Sequence, residues 1–184
     1  MRLRKLSDEY RGRVIVESRA FPLRPSPEAG VPWKGTYREQ GWQRCAAMSA
    51  GDGIVFTPWP HDALPGWSLP ALEAAKCVVK QAPDLFDRVH LALYRAFFTE
   101  SRNIGDPAEV IRIVGDAAPL DMTVFVADYR AGIGRQGVAT DWEAAAEHHV
   151  TSIPTVIVPA TGRALVGLAD LSTYRAVMEE ALAA

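Results

Sequence analysis

The thiols, the imidazoles and one proline are the residues of this sequence whose type and spacing could support chemistry. Cys45 and Cys77 are the only cysteines, and 77 − 45 = 32 positions separate them. That spacing gives neither a Cys-x-x-Cys redox pair nor a zinc-ligand pattern. Cys77 lies within "LEAAKCVVKQ", where a thiol is most simply a small core residue. His148 and His149 are adjacent, so on a helix they point in different directions and make no facing ligand pair. His90 falls in the helical run "RVHLALYRAFF" and reads as a packed or surface histidine, and His61 is loop-borne beside Asp62, a candidate for a catalytic role. "GIGRQG", Gly132 to Gly137, matches the glycine pattern of dinucleotide loops. It lacks the strand before it, and the position about twenty residues on, where an acidic group is needed, is Ser152. A flexible loop accounts for it better. No Ser-x-x-Lys, Gly-x-Ser-x-Gly or His-Glu-x-x-His pattern is found. The remaining feature is "TSIPTVIV", in which Pro154 directly precedes four strand-forming residues. Proline cannot donate to a sheet ladder, so Pro154, the residue that opens this strand, must serve some purpose other than pairing.

The bulk of the sequence limits the field. With 184 residues, 48% hydrophobic and 23% charged, the chain has enough apolar material for a globular core and too much for a disordered segment. Its net charge of -2 provides no overall attraction for nucleic acid or an anionic membrane. No run approaches the ~18 apolar residues of a membrane span, and no apolar stretch follows the basic start as it would in a signal peptide. These features place the protein in the cytoplasm, without nucleic-acid or membrane partners.

The elements that would position these groups are legible in part. Leu3, Leu6 and Tyr10 keep helical spacing up to Gly12, yet no side chain caps the start, and Arg2, Arg4 and Lys5 crowd a first turn where the dipole prefers acids. Such a pattern suits the second half of a longer helix, and the expectation is that the chain begins at an internal methionine. "RVIVESRAF" alternates like a strand. Residues 22–70, rich in proline and holding Trp33, Trp42, Trp59 and Trp67, read as loop pinned to a core by its aromatics, with tryptophans beside prolines lining a binding groove as the alternative, and a short helix over 37–49. Ser68 is placed to cap a helix bearing Leu72, Ala75 and Val79, and Phe86, Val89, Leu93 and Phe97 mark another. Asp106-Pro107 opens a third. Asp121 opens a fourth, for which "TVFVADY" as a strand is the rival reading. Thr140-Asp141-Trp142-Glu143 reads as a capping box before "AAAEHH". "TVIV", a turn at Thr161-Gly162, the strand "RALVGL" and a terminal helix carrying Leu171, Tyr174, Met178 and Leu182 complete the chain.

The succession of "HHVTSIPTVIV", "RALVGLADLSTYRAVMEEAL" and the earlier "RLRKLSDEYRGRVIVESRAFPLRP", with "SLPALEAAKCVVKQ", "LYRAFFTESRNIGDPAEVIRIV" and "PLDMTVF" between them, resembles the DsbA family of the thioredoxin superfamily. The branch it is most similar to holds FrnE-like oxidoreductases and 2-hydroxychromene-2-carboxylate isomerases. The resemblance implies an α/β thioredoxin-like fold with an inserted helical subdomain over about residues 34–130, forming one domain over 1–184 that is truncated at its N-terminus. It implies a cis bond at Pro154, where a trans proline opening an edge strand is the alternative. It also implies that Ser152, Ile153 and Pro154 bind an extended thiol- or disulfide-bearing protein, or glutathione, during disulfide exchange. The departure is the absence of the family's Cys-x-x-Cys and of the strand before it. No catalytic residue, metal or resident cofactor is therefore assigned, and the expectation is a chain inactive in thiol exchange with its reactive cysteines upstream. Two other readings stay open: a glutathione-dependent isomerase, and a non-catalytic protein that binds peptides or forms a homodimer through the gap in its sheet.

Overall fold

The computed structural model describes residues 1–183. Along the chain run α1 (Arg2–Glu9), β1 (Val31–Pro32), α2 (Tyr37–Ser49), β2 (Ala63–Leu64), α3 (Leu69–Gln81), α4 (Phe86–Phe98), α5 (Pro107–Ala117), α6 (Met122–Arg130), α7 (Ile133–Glu147), β3 (Thr155–Val158), β4 (Arg163–Val166) and α8 (Leu171–Ala183). They form two compact units: Met1–Phe21 with the chain from Glu143 onward, and Pro22–Trp142 inserted between those pieces.

The first unit is built on a hairpin. β3 and β4 pair antiparallel, Val156 opposite Leu165 and Val158 opposite Arg163. Val156 and Leu165 share a core with Leu6 and Tyr10 of α1 and Tyr174 and Met178 of α8. α1 needs no capping side chain because its ends are tied elsewhere. Arg2 donates to the Ala169 carbonyl at 2.6 Å, Tyr10 donates to Glu179 at 2.7 Å, and Arg175 grips Glu9 through two bonds. Arg2, at the head of the basic first turn that looked misplaced, is thus occupied in holding the segment that leads into α8.

"RVIVESRAF" does not form the strand that its alternation predicts. Val14 packs into the core and Val16 is half-buried, while Ile15 is 95% exposed, so the period of two is kept. The ladder is missing because pairing depends on a neighbour that alternation alone does not supply.

The inserted unit is helical. Val78, Val89, Val110, Val114 and Phe125 are buried where α3, α4, α5 and α6 meet. Asp121 settles the rival readings of "TVFVADY": its carboxylate accepts from the amides of Thr123 and Val124, fixing a helix start. Pro107 sits in the first turn of α5, where its missing N–H is harmless, and Asp106 caps that turn through Ala108. A second cluster joins Trp33, Trp42, Trp59 and Leu64 to Phe56, Phe97 and Phe98. The Trp42 and Trp59 indoles donate to the Thr57 and Ala63 carbonyls within the proline-rich segment, and the Thr57 amide, donating to the Phe98 carbonyl at 2.8 Å, fastens that segment to α4.

Three local expectations are corrected. Ser68 does not cap α3; its hydroxyl accepts from the Arg24 amide instead. The Thr140–Glu143 capping box does not open a helix, because α7 already began at Ile133 and runs through it. Asp141 there pairs with Lys76 at 2.6 Å. Consequently "GIGRQG" is not a loop: only Gly132 lies outside α7, with φ of 72°. Gly134 is inside the helix against the backbone of α3, where an added Cβ would stand 2.1 Å from the Glu73 carbonyl oxygen. The glycines serve a close helix contact, not a phosphate.

Candidate functional site

The site singled out by sequence lies at the entry to β3. α7 ends at Glu147, and the chain is turned by His149, whose φ is 54° and whose amide donates to Ala146. Thr151, Ser152, Ile153 and Pro154 then follow as an exposed run. The Ile153–Pro154 peptide bond is cis. Two contacts fix this run to the hairpin. The Gly167 amide donates to the Pro154 carbonyl at 2.8 Å, extending the β3–β4 ladder by one bond, and the Thr155 hydroxyl donates back to the Ser152 carbonyl at 2.7 Å. Ser152 and Pro154 are therefore anchored through their carbonyls. Ile153 between them forms no backbone hydrogen bond among the described residues, and its side chain is 45% exposed. The result is a short ledge with one free amide, one free carbonyl and an apolar side chain, held by a rigid strand.

The other candidates are not assembled into sites. Asp62 pairs with Lys34 at 2.8 Å, and His61 instead stands edge-on to Trp59, so no imidazole–carboxylate dyad exists there. His90 stacks on Phe86. His148 and His149 are exposed at the end of α7, and no three His, Cys, Asp or Glu side chains are grouped to hold a metal among the described residues. Both cysteines are free thiols of the inserted unit, Cys45 exposed on α2 and Cys77 buried on α3. Burial pushes the Cys77 thiol above its ordinary value, outweighing the backbone hydrogen bond at Gly134 that acts the other way. A buried thiol disfavoured as thiolate is neither a nucleophile nor a redox partner. A cleft of about 540 Å³ in the inserted unit is lined in part by Trp59, His61, Trp67, Ser101 and Asn103, so two of the four tryptophans do stand at a groove. Its walls come from three separate stretches, each fastened by a glycine at close approach, which no local pattern announces.

A model of the DSBA-like thioredoxin domain matches residues 1–179. The chain belongs to this family. Its fold agrees with solved structures that cover 99% of it, at identities too low to show more than the fold. One is a probable DsbA oxidoreductase from Streptomyces coelicolor, with a TM-score of 0.77 at 19% identity over 82% of that chain. A second, from Nitrosomonas europaea and named for protein disulfide isomerisation, gives 0.76 at 15% over 88%. A third, a cytosolic disulfide reductase from Pseudomonas aeruginosa, gives 0.63 at 17% over 87%. No protein of curated function matches the sequence. In the DSBA-like domain described here, no Cys-x-x-Cys is present, and among the described residues no helix is long and apolar enough to cross a membrane.

Proposed function

We propose that this DSBA-like domain provides the substrate-binding half of a thiol-disulfide exchange site, with Ser152, Ile153 and Pro154 as the ledge on which an extended thiol- or disulfide-bearing peptide lies. The observation that carries the reading is the free backbone of Ile153 between two anchored neighbours. An extended peptide passing along it gains two main-chain hydrogen bonds and an apolar contact, the chemistry of strand addition. Glutathione is the smallest peptide of that class, and cysteine-containing protein segments are the larger one. The residues present here bind and orient; the exchanging thiolates are not among them, since Cys77 is buried and Cys45 sits on a helix of the inserted unit. The 184-residue chain therefore binds such peptides without reducing or oxidising them.

The test is fluorescence polarisation with a labelled, extended, cysteine-containing peptide against the wild type and Ile153→Glu. Ile153 is exposed, so the variant folds, but it sets a charge where the apolar contact is made. The expected result is saturable binding weakened about tenfold or more by the substitution, equivalent to ~1.4 kcal/mol. Equal binding by both proteins, or none by the wild type, rejects the ledge.

A further inference from the structure

The cleft of the inserted unit is shaped by backbone lying on backbone. β1 and β2, which pair Val31 with Leu64, give it part of one wall through Ala63 and Leu64. Gly66 lies against the Glu28 carbonyl, where an added Cβ would stand 2.5 Å from the oxygen, and Gly105 lies against the Trp67 carbonyl, where it would stand 3.0 Å away. With no side chains between these stretches to rearrange, the cleft keeps its form without an occupant.

Three polar groups in its walls are left over. At the end of α4 the amides of Glu100 and Arg102 donate to the Arg95 and Ala96 carbonyls, an ending in which the residue between them is left-handed and most often glycine. Ser101 takes that place with φ of 54°, where a Cβ is unfavourable, and its hydroxyl has no hydrogen-bond partner among the described residues. Asn103 accepts from the Gly105 amide through Oδ1 at 3.0 Å, which fixes the orientation of its amide and leaves the NH2 as a free donor. The Trp67 indole N–H is buried without a partner, whereas those of Trp42 and Trp59 each reach a carbonyl. Trp67 as a whole is only half-buried, so its ring has room to turn the N–H toward an entering acceptor.

These donors stand among Pro27, Pro65, Trp59 and Trp67, and the titratable side chains of the lining are His61 and exposed Glu28, so the one fixed charge is negative. The matching ligand is neutral or cationic, with a row of acceptors on an apolar body. A polyproline helix has that make-up: its carbonyls are unpaired, its prolines bring no N–H that needs an acceptor, and its conformation is already set. Aromatic grooves take such segments for these reasons.

We propose that the cleft binds a proline-rich, basic peptide segment of a partner protein in the polyproline conformation, its carbonyls accepting from Ser101, Asn103 and Trp67 and its cation facing Glu28. The site lies within the inserted unit and uses neither the ledge at Ile153 nor a thiol.

Fluorescence polarisation with the 184-residue chain tests this, using a labelled Arg-Pro-Leu-Pro-Pro-Leu-Pro peptide and the same peptide with every proline replaced by alanine. The expected result is saturable binding of the proline peptide, about tenfold or more tighter than that of the alanine peptide, and weaker as salt is raised. Ser101→Gly removes the hydroxyl and the left-handed strain together, so it weakens binding while its Tm equals or exceeds that of the wild type. Asn103→Asp keeps the acceptor for Gly105 and loses the NH2, so it weakens binding even though its charge favours a basic peptide. No saturable binding of the proline peptide overturns the proposal, as does equal binding of the two peptides or wild-type affinity in either variant. Ile153→Glu binds the proline peptide as the wild type does, so this site and the ledge can each fail alone.

Discussion

Replacing Gly134 by alanine isolates the contact that sets α7 against α3. In an ordinary helix the change is favourable by about 0.8–1 kcal/mol, because alanine has the higher helix propensity. Here the new Cβ would lie 2.1 Å from the Glu73 carbonyl oxygen and 2.8 Å from its carbon, with no side chain able to swing away. Relief requires the helices to separate by roughly an ångström, the kind of overpacking that costs about 1–3 kcal/mol. Separation also strains two ion pairs spanning the same helices, Arg135–Glu73 at 2.8 Å and Lys76–Asp141 at 2.6 Å. Net of the propensity gain, the expected loss is about 1 kcal/mol, or roughly 2–4 °C in Tm for a chain of this size. Gly41→Ala is the control: it lies inside α2 with nothing within 4 Å of its added Cβ, and should gain about 0.5–1 kcal/mol. Urea unfolding followed by tryptophan fluorescence reads both, since Trp33, Trp42 and Trp59 are buried in the unit that holds these glycines. If Gly134→Ala equals or exceeds the wild type while Gly41→Ala behaves as stated, the reasoning from close approach is refuted.

Three further outcomes are expected. Tyr129→Phe, which deletes a buried hydrogen bond to the Pro70 carbonyl, should cost about 1 kcal/mol in the same urea assay. Native protein should yield one fast thiol to a disulfide reagent, exposed Cys45, with Cys77 reacting only on unfolding; two fast thiols would contradict the burial of α3. Glu109 is held below its ordinary value near 4.5 by hydrogen bonds from Arg102 and then Arg112. A folded-state value below the unfolded one stabilises the protein above the ordinary carboxylate range, and that contribution is lost as pH falls through the folded value. Glu109→Gln should therefore flatten the acid side of the stability–pH profile, which a pH series of thermal melts will show.

What could be read from sequence followed the range of the forces involved. Asp106-Pro107 and Asp121 announce helix starts because a cap acts on amides two or three residues away. Of the tryptophans of residues 22–70, Trp33, Trp42 and Trp59 are the anchors that the reading expected, while half-buried Trp67 lines the cleft together with Trp59. Failures came where a distant partner decides. "RVIVESRAF" alternates as a strand should, but a strand also needs a neighbour, and none pairs with it among the described residues. Thr140–Glu143 has the composition of a cap, yet the turn before it is already helical, because Gly134 allows α7 to lie on Glu73. Ser152 to Pro154 were marked by a proline before a strand and by family resemblance. The feature that makes them a ledge, an unpaired Ile153 between neighbours bonded to Thr155 and Gly167, depends on a hairpin partner twelve or more residues away and is visible only in the fold.

The most direct measurement of the ledge is hydrogen exchange at the Ile153 amide with and without a saturating cysteine-containing peptide. The account predicts fast exchange in the free protein, where this amide has no partner, and marked slowing when the peptide is bound. Saturable binding that leaves Ile153 exchanging at its free rate would contradict it.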